Sequence, residues 1–225
     1  MRETINLATY SKRNQYRWFS TFSDPTYGFD VDMDVDRLVR LAKERKDSFF
    51  PYFLYLVTKG VNAIPEMRLR VVKGQLYRYD TIHPTWTVMT DSGVYLNVGM
   101  EMIEDFPSFY KAVKTLDDKS KTVIPSDALD NYVVGDGFNV IYATCIPFLK
   151  ILAVKHPTPA NNPESSSVPR ILWDQYRLEG NGHYHLTLNI TVSHALVDGF
   201  PLGRCFQEIQ RYLDDPKLFL TGLKN

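Results

Sequence analysis

Two side chains suited to proton transfer stand four residues apart near the C-terminus, in Ser193-His194-Ala195-Leu196-Val197-Asp198-Gly199-Phe200. An imidazole at the mouth of a site can take a proton from a hydroxyl at physiological pH. The residues before it alternate strictly. Tyr184, Leu186, Leu188, Ile190 and Val192 fall on one side, and His185, Thr187, Asn189 and Thr191 on the other. That period of two predicts a strand with one buried face, and continuing it puts His194 in phase with the apolar side. Gly199 is expected to supply the positive φ of a sharp reversal. A helix over 202–213, with Leu202, Cys205, Phe206, Ile209 and Leu213 on one face, would anchor the turn. His-x-x-x-Asp is a short pattern, and the same residues also fit a core histidine beside a helix-entry turn.

The elements that must carry this turn can be read upstream. Tyr27 to Met33 alternates as a half-buried strand, and Asp34 is placed to cap a helix with Leu38, Val39 and Ala42 as its stripe. Phe50 to Val61 is apolar on most sides and predicts a central helix, with Pro51 in its first turn. Val71-Val72, Lys73-Gly74 and Leu76 to Tyr79 predict a hairpin. Further strands are expected over 85–90, 94–100, 138–144, 151–154 and 168–177, with a helix over 106–116 and a turn at Gly180-Asn181-Gly182. Thr158 to Ser167, with two prolines, two asparagines and three serines, predicts a loop within one domain spanning 1–225. Strands not regularly separated by helices argue for an α+β, two-layer sandwich, with helices packed on a mixed or antiparallel sheet.

Composition narrows the function. The 225 residues carry 26 basic and 26 acidic side chains, so no nucleic-acid or membrane partner is indicated. The apolar run from Phe49 to Val57 is too short for a membrane span, and no secretory signal is visible. Cys145 and Cys205 stand among apolar neighbours without paired spacing, which suggests free thiols and a reducing, cytoplasmic setting. His183 and His185 share a strand face but lack a third ligand, so no metal is expected and a solvated face is the simpler reading.

The stretch Thr191 to Phe200 resembles the active-site signature of the chloramphenicol acetyltransferase family, and more distantly that of other HxxxDG acyltransferases. Phe49 to Leu56 resembles the family's FYPxxxYL helix, Glu66-Met67-Arg68 its ELR segment, and Asp80 to Val88 the strand after its hairpin. The resemblance covers nearly the whole chain. It implies the fold and an acetyl-coenzyme A-dependent O-acetyltransferase, with a hydroxyl acceptor such as chloramphenicol and His194 as general base. It further implies a homotrimer whose active sites lie between subunits, and a role in antibiotic resistance. Asp198 would be structural, paired with Lys12 or Arg13. Thr144, in the register of a family serine before Pro147-Phe148, would donate to the oxyanion. Phe19, Tyr27 and Tyr142 fall at acceptor-binding positions, and Trp173 and Tyr176 near the adenine of coenzyme A. Ser193 and Pro201 stand where the family usually has histidines, and Phe19 and Tyr27 also depart from its pattern. These departures bear on the acceptor rather than on acyl transfer. A dihydrolipoyl-type transacylase is disfavoured by the missing arginine after His194 and the missing lipoyl and subunit-binding modules. A non-catalytic trimeric binding protein is disfavoured by retention of both His194 and Asp198.

Overall fold

The computed structural model describes residues 1–123 and 134–224. Ten strands and seven α-helices are found among them: β1 (Arg2–Thr4), α1 (Arg13–Phe19), β2 (Thr26–Asp34), α2 (Asp36–Arg45), α3 (Phe49–Ala63), β3 (Leu69–Val72), β4 (Gln75–Tyr79), β5 (His83–Met89), β6 (Tyr95–Gly99), α4 (Phe106–Lys121), β7 (Val140–Ile146), α5 (Pro163–Ser166), β8 (Arg170–Asp174), β9 (Arg177–Leu178), β10 (Tyr184–Ser193), α6 (Gly199–Asp214) and α7 (Pro216–Phe219). A 3₁₀ turn spans Pro65–Arg68. The large sheet runs β2-β10-β8-β7-β5-β6, with β9 on β10, and a small sheet runs β1-β4-β3. The β5–β7 and β7–β8 pairs are parallel and the others antiparallel. This is an α+β architecture with a mixed sheet.

One face of the large sheet makes the core. Trp86, Val98, Ile141, Ala143, Ile171, Leu188 and Ile190 pack there under the helices. α3 lies at the centre because nearly all its sides are apolar, as its sequence predicts, and most of its residues are buried. Gly60 lets α6 approach it closely, since a Cβ there would collide with Ile209. The β3–β4 hairpin turns at Lys73 and Gly74, both with positive φ (50° and 73°), as a two-residue hairpin loop requires.

Several expectations are corrected. Ile151 to Val154 is not a strand, because side chains satisfy its backbone in place of a ladder: Ile151 N–H donates to Asp174 Oδ2 at 2.8 Å, and Ile151 O accepts from Thr187 Oγ1 at 3.1 Å. The strand expected over 168–177 is broken into β8 and β9. The residue capping α2 is Val35; Asp34 Oδ1 accepts the Asp36 N–H at 2.9 Å, a turn bond two residues on. His183 is exposed and His185 partly so, but beyond them the polar side of β10 is covered, and Thr187, Asn189 and Thr191 are buried. His156 and Ile151 reach onto it, at Asn189 and Thr187. β1, α1, α5 and α7 were not legible in the sequence.

Candidate active site

β10 ends at Ser193, and His194 begins the turn. Its N–H donates to Pro25 O at 2.9 Å, which ties the turn to the chain entering β2. The N–H groups of Leu196 and Val197 both return to Ser193 O at 3.0 Å. Tyr27, on β2, donates its hydroxyl to Val197 O at 3.0 Å. Asp198 is the residue before α6, and its carbonyl accepts the Leu202 N–H. Gly199 has no positive φ, which corrects the expected reversal; the turn is made by residues 194–198 in ordinary conformations.

The imidazole of His194 lies between two aromatic rings. Phe19 stacks on it at 3.9 Å between centroids and 13° between planes, and Tyr27 at 4.4 Å and 29°. The His194 side chain is one-third exposed. Its Nδ1 is buried without a hydrogen-bond partner among the described residues, and Asp198 Oδ1 lies 3.7 Å away, beyond bonding range. Asp198 Oδ2 instead meets Lys12 Nζ at 2.9 Å, and Lys12 also lies 3.6 Å from Glu66. Arg13 turns away and donates to Ala8 O. Lys12 is therefore the partner of Asp198. The pair is part-exposed, so solvent screens it and its worth lies mainly in fixing the turn. Burial, with Asp198 nearby, pushes the Tyr27 hydroxyl up to about 12, which keeps it protonated as a donor.

Phe19 and Tyr27 are thus packed against the base, whereas Tyr142 lies elsewhere. Tyr142 and Thr144 line a cavity of about 990 Å³ on the far face of the sheet, together with Thr85, Thr87, Asn97 and Phe148. Neither His194 nor its two aromatic partners line it. Thr144 pairs with Leu172, and Leu172 with Asn189, five residues before His194. Five strand residues and two strand spacings separate Thr144 from His194 by roughly 20 Å. One chain does not bring these two groups together.

Trp173 is corrected from an adenine contact to a core residue. It is 1% exposed and packs between Phe50 and Phe53, at 5.4 and 5.1 Å. Tyr176 is partly buried against Phe49 and Tyr184, with Lys43 Nζ 5.7 Å over its ring. Sequence reasoning missed Arg170 and His156, which line the same cavity as Thr144. Only the parity of β8, which puts Arg170 and Leu172 opposite Ile171 and Trp173, could have marked the arginine. Among the described residues no group of three or more His, Cys, Asp or Glu is placed to hold a metal ion, and no helix is long and apolar enough to cross a membrane.

Helices on one face of a mixed sheet, with a histidine–aspartate turn closing its longest strand, are the arrangement that the resemblance to an acyltransferase implies. The chloramphenicol acetyltransferase family model matches residues 2–210. Among curated relatives, the chloramphenicol acetyltransferase of Escherichia coli is 23% identical over 213 residues, covering 94% of both chains. That of Staphylococcus aureus is 24% identical over 230 residues, covering 96% of this chain and 97% of the relative. A solved chloramphenicol acetyltransferase superposes with a TM-score of 0.82 at 21% identity, over 95% of this chain and all of the other. The cubic core of the pyruvate dehydrogenase multienzyme complex shares the fold at a TM-score of 0.68 and 16% identity, over 97% and 93% of the chains. The chain belongs to the chloramphenicol acetyltransferase family, and it is an acyltransferase.

Proposed function

We propose that the enzyme transfers the acetyl group of acetyl-coenzyme A directly to a hydroxyl acceptor, such as chloramphenicol, with His194 as general base. His194 takes the acceptor's hydroxyl proton as the oxygen attacks the thioester carbonyl. The tetrahedral intermediate then expels the coenzyme A thiolate, which recovers the proton from the imidazolium. The products are the acetyl ester and free coenzyme A, with no acyl-enzyme between. Thr144 donates its hydroxyl to the oxyanion, where charge develops only during the reaction and a fixed donor gains most. Since Thr144 and His194 are far apart in one chain, the reading requires them to meet across copies, as a homotrimer with sites between subunits. In this reading the chain acts as one domain in the cytoplasm, and acetylation of chloramphenicol would confer antibiotic resistance. Tyr176 alone would remain as an adenine contact.

The observation that supports this reading most is the imidazole itself: stacked between Phe19 and Tyr27, partly exposed, and beside an Asp198 committed to Lys12. A ring so held keeps its orientation without using a nitrogen to do so. The dihydrolipoyl reading has only a likeness of fold on its side. The test is thiol release from acetyl-coenzyme A with chloramphenicol, simple alcohols and dihydrolipoamide as acceptors. Release driven by hydroxyl compounds supports O-acetyl transfer. Release driven by dihydrolipoamide alone would replace it with the transacylase reading, and release with none would leave a binding protein.

A further inference from the structure

The cavity that carries Thr144 holds a charge that its own walls do not balance. Arg170 lies on β8, opposite Tyr142 on one side and Thr191 on the other. It is 8% exposed and lines the cavity. Its Nη1 donates to the carbonyls of Ser165 (3.1 Å) and Val168 (3.3 Å), and its Nη2 to Ser165 Oγ (2.9 Å). All three acceptors are neutral, and they engage the end of the guanidinium. A guanidinium has five N–H donors, so the Nε–H and one Nη2–H remain, side by side along one edge. That edge is the spacing at which a carboxylate accepts two parallel bonds. Among the described residues no carboxylate forms a salt bridge with Arg170, and no residue lining the cavity is acidic.

The neighbouring histidine adds no second positive charge. Asn189 Nδ2 donates to Asp30, which identifies Oδ1 as the acceptor facing His156 Nε2 at 3.1 Å. His156 therefore carries its proton on Nε2, and burial, followed by the charge of Arg170, favours its neutral form. Arg170 is left as the one full charge among the described lining residues. Burial disfavours the charge of Arg170, Asp24 offsets this only in part and without forming a salt bridge to it, and binding an anion relieves the remaining cost. The rest of the wall is mostly aliphatic and aromatic, with hydroxyls from Thr85, Thr87 and Thr144 and the amide of Asn97 set into it, suited to an aromatic body with a few polar groups.

We propose that the natural acceptor is a hydroxy acid, whose carboxylate takes the Nε/Nη2 edge of Arg170 while its hydroxyl is the acetylated group. This rests on the proposed function only in treating the cavity as the acceptor pocket. It makes a neutral compound such as chloramphenicol a secondary acceptor at best.

A matched pair of compounds tests it: N-benzoylserine and N-benzoylserinamide, which share the hydroxyl and the ring and differ in the carboxylate. Binding to the full chain is measured by calorimetry, separately from thiol release. The acid should bind at least about tenfold tighter than the amide, the scale of hydrogen bonds to a charged group. Arg170→Gln should bring the ratio near one, and Arg170→Lys should keep part of it. The wild-type ratio needs no variant, so a poorly folding Arg170→Gln does not spoil the test. Equal affinity for acid and amide, binding of neither at millimolar concentration, or a ratio that survives Arg170→Gln would overturn the proposal. So would an Arg170→Gln that alters oligomeric state but not the ratio, since the cation would then serve a second copy's carboxylate. An acid-selective site with no thiol release would leave the anion site standing and remove the acetyl-transfer reading instead.

Discussion

The turn at His194 and the cavity at Thr144 hang on the same sheet but are assembled differently. The turn is local: six consecutive residues fix its course, and Lys12, Phe19, Pro25 and Tyr27 reach it from afar. The cavity is dispersed, with residues from β5, β6, β7 and β8 and from the segment around His156 among its lining. Chemistry common to a family can therefore sit in a contiguous string. The acceptor pocket, in the reading proposed above, is built from residues that meet only after folding. The two regions also differ in charge. The turn carries the Lys12–Asp198 ion pair, while the cavity carries Arg170 with no acidic residue among its described lining.

The sharpest way to break this contrast is at the turn. His194→Ala should lower turnover at least ~100-fold, the usual reach of a general base. Fold and oligomer should be unchanged by circular dichroism and light scattering, because the ring nitrogen nearest Asp198 holds no hydrogen bond that the fold would lose. Retention of more than a tenth of the wild-type rate would remove His194 from the chemistry.

At the cavity, Thr144→Val nearly preserves shape and deletes only the hydroxyl. It should lower kcat about 10²-fold with little change in KM, a loss of roughly 2.7 kcal/mol of transition-state stabilisation. Thr144→Ser should keep most activity. Unchanged steady-state kinetics in the valine variant would return Thr144 to a packing residue.

These two predictions draw on unequal amounts of sequence. β10, α3 and the Lys73-Gly74 hairpin were legible because each has a clean period or a turn dipeptide. Ile151 to Val154 misled because its apolar residues suit a strand, yet Asp174 and Thr187 take its backbone bonds, and no local pattern announces such distant partners. Trp173 misled because aromatic type does not disclose which side of β8 faces the helices. α1 escaped notice because none of its residues is buried, so it lacks an apolar stripe, although it delivers Phe19 to the imidazole. His194 and Asp198 could be named beforehand. Their aromatic bracket could not, and neither could the choice of Lys12 over Arg13.

A smaller effect separates the two roles open to Tyr27. If its hydroxyl serves the turn through Val197 O, Tyr27→Phe should cost about 0.5–1.5 kcal/mol of stability, or about 1–6 °C in Tm. KM for the acceptor should hardly move. A raised KM with an unchanged Tm would instead make Tyr27 an acceptor contact.

The smallest expected effect is a pH dependence seated in the cavity. Burial holds the pKa of His156 below its ordinary value, and Arg170 adds to this against the opposing bond to Asn189. Above the unfolded value of ~6.5 the ring is neutral in both states and costs nothing. As pH falls below that, the unfolded chain takes up a proton that the folded chain resists, so stability is lost toward the folded pKa. His83, also lowered by burial, acts in the same direction. His183, raised by its bond to Asp34, acts the other way, so the test is the difference: between pH 7 and pH 5 the urea midpoint of the wild type should fall relative to that of His156→Gln. Parallel curves would show that His156 does not resist protonation.

The central claim is that the base of one copy serves the cavity of another. Co-expression of His194→Ala with Thr144→Val tests it most directly, each chain alone being nearly inactive. In a randomly mixed three-fold ring, about a quarter of the sites would pair an intact His194 with an intact Thr144. The mixture should then regain about a quarter of the wild-type rate of thiol release. A mixture no more active than the average of its two parents, despite mixed oligomers shown by mass, would contradict a site shared between subunits.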